Sequence, residues 1–182
     1  MGKNQAEGNP EIDEPKETFT LDPRGDQSLS ELAEQGEFDD VHFFVAEALE
    51  EGAITAEAAD EDTTFALIPY DHPADKIDDD TWQLLEDEGY EQATFRDLLN
   101  FAIEHPGEQL EYDVVALGTL RTRRVYDDRE GETVWDQLER DKAICQWATG
   151  VSNLGEDRTL VPVEIYLDDV LRKDALLLVR KG

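Results

Sequence analysis

Two stretches of the chain carry apolar residues at helical spacing directly after a helix-capping motif. Ser28-Leu29-Ser30-Glu31 is a capping box that predicts a short helix through about Gln35. Thr94-Phe95-Arg96-Asp97 is a second capping box, and it predicts a helix to His105 that Pro106-Gly107 stops. The buried stripe of this second helix is expected at Phe95, Leu98, Leu99, Ala102 and Ile103. A further short helix is predicted over 81–88, ending at Gly89.

The stretch from 41 to 59 supports two interpretations. Apolar residues at positions i, i+3, i+4, i+7 and i+8 favour a helix, namely Val41, Phe44, Val45, Ala48 and Leu49. Asp39 or Asp40 is placed to cap this helix, and Gly52 is placed to end it. The same stretch alternates locally around Val45, and residues 53–57 repeat that alternation, so a β-hairpin is the alternative.

The second half of the chain changes to the period of a β-strand. Long apolar or alternating runs predict strands over 64–70, 110–126, 159–167 and 175–180. Gly118 lies inside the longest run, where it predicts a bend or a bulge. Residues 133–147 are ambiguous. Their first part has apolar residues at helical spacing, and a strand is the alternative over 144–151.

These elements together predict an α+β fold, in which a helical acidic N-terminal half packs on a mostly antiparallel C-terminal sheet. Residues 1–27 are polar and rich in proline and glycine, so they predict an extended arm that needs a partner for order. Residues 28–182 are expected to form one globular domain, mainly helical over 28–107 and mainly β over 108–182. The alternative is a jelly-roll β-sandwich with the 81–105 helices as an insertion, if the doubtful segments 17–21, 41–49, 53–59 and 143–151 are also strands.

The charge of the chain is extreme. Its 182 residues hold 46 acids against 16 lysines and arginines, which gives a formal net charge of −30 and a pI near 4.1. The acids are scattered along every segment, which is typical of a general surface adapted to molar salt, where repulsion between exposed carboxylates is screened. The composition resembles that of proteins from salt-accumulating haloarchaea or their viruses, so we expect the cytoplasm of a high-salt cell or a virion. Mimicry of nucleic acid is the alternative interpretation.

Several chemistries lack their usual sequence signals. One cysteine, Cys145, excludes an internal disulfide and a multi-cysteine zinc site, and it is expected to be a small buried apolar residue. The longest apolar runs have five residues, such as 175–179, and the N-terminus has no apolar signal region, so no membrane span or secretory signal is predicted. No phosphate-binding loop, nucleophile motif, calcium loop or metal motif is found, and no cofactor is predicted.

Three histidines are the remaining candidates for acid–base or metal chemistry. His42 is interpreted as a half-buried structural residue, and His105 as a residue of the last helical turn that favours the helix dipole. His72 lies in a loop with Asp71 and Asp75, which is the best candidate for a metal or acid–base cluster. Because this trio lacks a fourth ligand, a turn is the favoured interpretation.

Arginine is rare in this chain, so a cluster of it carries information. Arg121, Arg123 and Arg124 lie within four positions, and Arg129 follows shortly after. On a strand Arg121 and Arg123 share a face, and Arg124 takes the other. Pairing with carboxylates of this chain or a neighbouring subunit is favoured over contact with phosphate. The four arginines are therefore the predicted partner-binding residues.

The combined pattern predicts a non-catalytic structural or assembly protein of a halophilic archaeon or its virus, such as a virion subunit. We expect homo- or hetero-oligomeric protein partners, with nucleic acid less favoured. A DNA-associated regulator is the alternative, using the 81–105 helix pair and the arginine strand. Arg96 in that pair is opposed by Asp97 and Glu104, which repel phosphate. An enzyme with an unsignalled site near His72 is the third hypothesis.

Overall fold

The computed structural model describes residues 14–50, 57–69, 83, 85–107, 111–123, 145–154, 157–164 and 175–182. In chain order the elements are β1 (Glu17–Thr20), α1 (Leu29–Gln35), β2 (Asp40–Val41), α2 (Phe43–Glu50), β3 (Thr64–Pro69), β4 (Tyr90–Gln92), α3 (Phe95–Glu104), β5 (Val114–Arg123), β6 (Cys145–Leu154), β7 (Asp157–Glu164) and β8 (Leu176–Lys181). These eight strands form one sheet in the order β1-β3-β8-β5-β6-β7-β2, and β4 also pairs with β8.

Strand β8 is the centre of the sheet. It pairs antiparallel with β3 along its whole length, while its other edge pairs with β5 first and with β4 further on. The β5–β8 and β2–β7 pairs are parallel and the remaining pairs are antiparallel, so the sheet is mixed. Residues 176–179 of β8 and 65–68 of β3 are all buried. Because both faces of each strand are covered, the sequences of both strands are continuous apolar runs.

Helix α3 lies in the main hydrophobic core on one face of the sheet. The core joins its apolar residues to those of α1 and of alternate positions on the strands, including Leu32, Leu67, Val114, Val151, Leu160 and Leu178. Four residues of the predicted α3 stripe are buried, and Ile103 is half-buried against the same core. Burial nevertheless extends around the whole helix, because every residue from Phe95 to Ala102 is buried. No helix in the described part of the chain is long and apolar enough to cross a membrane.

Both predicted capping boxes are confirmed. Ser28 caps α1 and Thr94 caps α3, and in each case the acidic residue three positions later accepts from the backbone N–H of the cap. The backbone N–H and then the hydroxyl of Ser28 lower the pKa of the Glu31 carboxyl from its ordinary value of 4.5. This carboxylate therefore stabilises the fold at pH values above 4.5, and its contribution is lost as the pH falls through the lowered pKa.

The helix predicted from the stripe Val41 to Leu49 is confirmed from Phe43 onward as α2, which rules out the hairpin from Phe43 to Glu50, whereas Val41 lies in β2. The predicted cap is wrong. The carbonyl of His42 accepts from the N–H groups of Val45 and Ala46, so the helix begins after His42. Asp40 lies in β2 instead, and Asp39 exchanges two hydrogen bonds with Arg158. Gly52, the predicted end of this helix, lies outside the described residues.

The predicted strands are confirmed where the structure describes them, except that residues 111–113 and Ala175 come before the strands to which they were assigned. They correspond to β3, β5, β7 and β8, and the ambiguous segment over 144–151 is the strand β6. The helix predicted over 81–88 is described at Gln83 and at 85–87, and the chain then turns at Gly89, whose φ is +83°. Residues 133–144 lie outside the described part of the chain.

The distribution of strands along the chain differs from the prediction. Four strands, β1 to β4, come from the N-terminal half, so the described residues do not divide into a helical half and a β half. All eight strands belong to one sheet, so they do not form the two sheets of a jelly roll. The coarser prediction of a fold that mixes helices with a sheet agrees with this architecture.

Residues 14–27 are ordered by contacts within their own chain. Strand β1 pairs with β3 over four residues, Phe19 packs against the core, and Leu21 is buried in it. The composition of residues 1–27 predicted that an external partner would be needed to order them. For residues 17–27 that partner is the sheet and α3 of the same chain. Residues 1–13 lie outside the described part.

Candidate functional site

The predicted partner-binding arginines lie on or after the last residues of β5. Arg121 and Arg123 are at register positions opposite Trp147 and Cys145 of β6. The two arginines are two residues apart in a regular stretch of ladder, so the predicted shared face of positions 121 and 123 agrees with the backbone. Arg124 and Arg129 lie outside the described residues.

Positions 121 and 123 lie beyond the stretch of β5 that pairs with β8, although β6 opposite Arg121 is still paired with β7 at Trp147. Residues 114–116 pair with β8, but beyond them the edge of β8 is occupied by β4. At this point the amide of Gly118 donates to the carbonyl of Ala93, 3.0 Å away, and β5 leaves β8. From Arg121 to Arg123 the described partner of β5 is β6 alone. The bend predicted at Gly118 is therefore confirmed, and its cause is the competing strand β4.

The bend also changes which face of the sheet carries the arginine positions. Ala116 pairs with Thr149 and Arg121 pairs with Trp147, so four residues of β5 lie opposite one residue of β6. Because positions 147 and 149 lie on one face of β6, positions 116 and 121 also share that face. Without the irregularity, strict alternation would place positions 116 and 121 on opposite faces.

Arginines outside this cluster do not cluster in the sequence, and the structure gives four of them internal contacts. Arg180 at the end of β8 forms an ion pair with Asp97, with both Nε and Nη2 2.8 Å from Oδ2. Asp97 is 1% exposed, and the same oxygen accepts from the amide and hydroxyl of Thr94. This cluster joins the central strand to the first turn of α3, in a site where an unpaired carboxylate would be costly.

A polar stripe on α3 holds the segment from 22 to 27. Arg96 Nη1 donates to the carbonyls of Arg24 and Gln27, each 2.8 Å away. Four residues on, Asn100 Nδ2 donates to the Pro23 carbonyl at 3.1 Å. Four residues further along the helix, Glu104 accepts from the amide of Asp22 and from the guanidinium of Arg24.

The positions 96, 100 and 104 of this stripe recur at i, i+4 and i+8, which is one face of a helix. That spacing is visible in the sequence, so the stripe could have been found from it. Since Arg96 is buried against this segment, α3 does not present it to a DNA groove.

Arg158 contacts the C-terminal end of α3. Its Nη2 donates to the carbonyl of Ala102 at 2.9 Å, within the last turn of the helix, and its guanidinium lies over the ring of Phe38. A cation at this end also interacts favourably with the helix dipole. The partners of Arg158 and Arg180 lie 56 and 83 residues away in sequence, so no local pattern could have predicted these contacts.

Charge is therefore sorted between the interior and the surface. Every arginine whose side chain the structure describes is buried or half-buried, and the exposed cations among the described side chains are Lys16 and Lys181. Among the acids whose exposure is described, Asp97 and Asp113 are buried and all the others are exposed. Buried pairs are screened by salt much less than exposed pairs, so this arrangement keeps its internal contacts in concentrated salt.

The other candidates for metal, acid–base or thiol chemistry either stack on neighbouring aromatic side chains or have side chains outside the described part of the structure. His105 stacks on Phe101, with ring centroids 5.1 Å apart, and His42 is half-buried and stacks on Phe43. His72, Asp71 and Asp75 lie outside the described residues, and Cys145 is described only as the first residue of β6. Within the described part of the chain, no group of three or more potential ligands is close enough to hold a metal ion.

One buried polar pair lies on the sheet face opposite α3. The hydroxyl of Ser152 donates to Asp113 Oδ1 at 2.6 Å, and both residues are almost fully buried. Thr159 is opposite Ser152 on β7 and is also buried, so these polar positions form a row across three strands. The hydroxyl supplies a hydrogen bond that this buried carboxylate requires.

Comparison of the chain with protein-family models, with curated proteins and with solved structures finds no match. The proposal below therefore depends on the arrangement of residues in this molecule.

Proposed function

We propose that this chain is a non-catalytic structural or assembly protein of a halophilic archaeon or of a virus that infects one, such as a virion subunit. It acts through contacts with other protein chains at the salt concentration of its environment. The observation that carries the proposal is the sorting of charge. The described arginines join α3 to β7, to β8 and to the segment before α1, while the surface is left to carboxylates.

A surface of this kind suits concentrated salt for a physical reason. At about 1 M salt the Debye length is roughly 3 Å, so repulsion between exposed carboxylates is largely removed. In dilute buffer the same charges destabilise the compact state. The internal arginine contacts are the short, charge-assisted hydrogen bonds that depend least on the solvent.

The architecture supports contacts between protein chains. Among the described strands the sheet is open, because β1 is at one end of the strand order and β2 is at the other. Strand β1 has four residues, pairs with β3 on one side in the described structure, and is exposed apart from Phe19. An exposed strand edge is a surface on which another chain can be bound.

The test is the oligomeric state of the purified chain at about 2 M KCl, where the surface charges are screened. Light scattering coupled to size exclusion should show a defined oligomer over a range of protein concentrations. A variant that lacks residues 1–13 keeps β1 and the folded core, so it separates a role of that segment in assembly from its role in folding. A monomer at every protein concentration would contradict the proposal.

A further inference from the structure

We draw no further inference here: the strongest candidate, the outer edge of strand β1 (Glu17–Thr20) at the end of the described sheet, is exposed apart from Phe19 and pairs with β3 on its inner side, but nothing in the described part of the structure shows what covers it.

Discussion

Gly118 is required at its position by a backbone contact. A methyl group added there would overlap the carbonyl oxygen of Ala93, which accepts the hydrogen bond of the Gly118 amide. A backbone oxygen in a paired segment cannot move as a flexible side chain would. We therefore expect Gly118→Ala to lower the free energy of unfolding by about 1–3 kcal/mol, the usual cost of forcing extra volume into a packed site.

The measurement is denaturant unfolding at constant KCl, with Gly107→Ala as the matched control. A methyl group at Gly107 meets no atom within 4 Å, so this variant should stay within about 0.5 kcal/mol of the unmodified chain. Equal stability of the two variants would mean that the approach of β5 to Ala93 does not constrain the fold.

At the scale of the element, α3 has two different buried faces. Its apolar residues pack in the core, whereas Arg96, Asn100 and Glu104 bind the segment from 22 to 27. Removing the guanidinium in Arg96→Ala leaves the carbonyls of Arg24 and Gln27 without that donor. We expect a loss of about 2–3 kcal/mol in the free energy of unfolding, because hydrogen bonds to charged groups contribute roughly 1.5–3 kcal/mol.

Hydrogen exchange locates this loss. The amide of Gln27 donates to the Arg24 carbonyl, and its exchange rate should rise by more than the loss of global unfolding free energy explains. The exchange rates of amides in β3 and β8 should rise only as much as that global loss predicts. Arg96→Lys keeps a cationic donor and should recover part of the stability. If the amide of Gln27 changes only as much as the amides of the sheet, the stripe does not hold this segment.

In the described part of the molecule, exposed carboxylates cover most of the charged surface, whereas the described arginines are buried or half-buried in internal contacts. Repulsion across that surface predicts a melting temperature that rises as KCl increases from about 0.1 to 3 M, most steeply at the dilute end where screening changes most. Thermal melts followed by circular dichroism measure this dependence. A melting temperature that does not respond to salt would contradict adaptation to a saline solvent.

A neutralised variant separates charge screening from the general effect of salt on apolar burial. It replaces six exposed acids by their amides, at Asp60, Glu61, Asp62, Glu86, Asp87 and Glu88. This variant should lose less stability on dilution of the salt than the unmodified chain. An identical salt dependence would assign the effect to apolar burial.

The helices and most strands follow from local pattern, because a capping box or an apolar run specifies an element without reference to distant residues. The capping boxes at Ser28 and Thr94 and the run of β8 are examples. Strand β1 was expected only within the jelly-roll alternative, over 17–21, and not in the favoured α+β prediction. Its four residues, Glu17 to Thr20, are mostly polar, and they are a strand because the edge of β3 is available to pair with them. The burial of every residue from Phe95 to Ala102 was missed for a similar reason, since Arg96, Asp97 and Asn100 are buried by partners distant in sequence.

For the candidate site, the sequence identified a cluster of arginines but did not show where in the fold the cluster lies. Alternation along β5 assigned a shared face to Arg121 and Arg123, and the bend at Gly118 was expected. The face itself depends on the register shift beside β6 and on the presence of β4 at the edge of β8. Neither is encoded near the arginines.

By itself, then, the sequence determined the acidity of the molecule, the two capped helices and the apolar strands, because composition, caps and periodicity act over a few neighbouring residues. Only the tertiary structure decided that the strands of both halves form one mixed sheet and that the segment before α1 belongs to it. It also decided which arginines contact the core helix and which positions of β5 lie beyond its pairing with β8. These features depend on which strand edges and buried carbonyl groups still need hydrogen-bond partners. Those partners come from residues far apart in the chain.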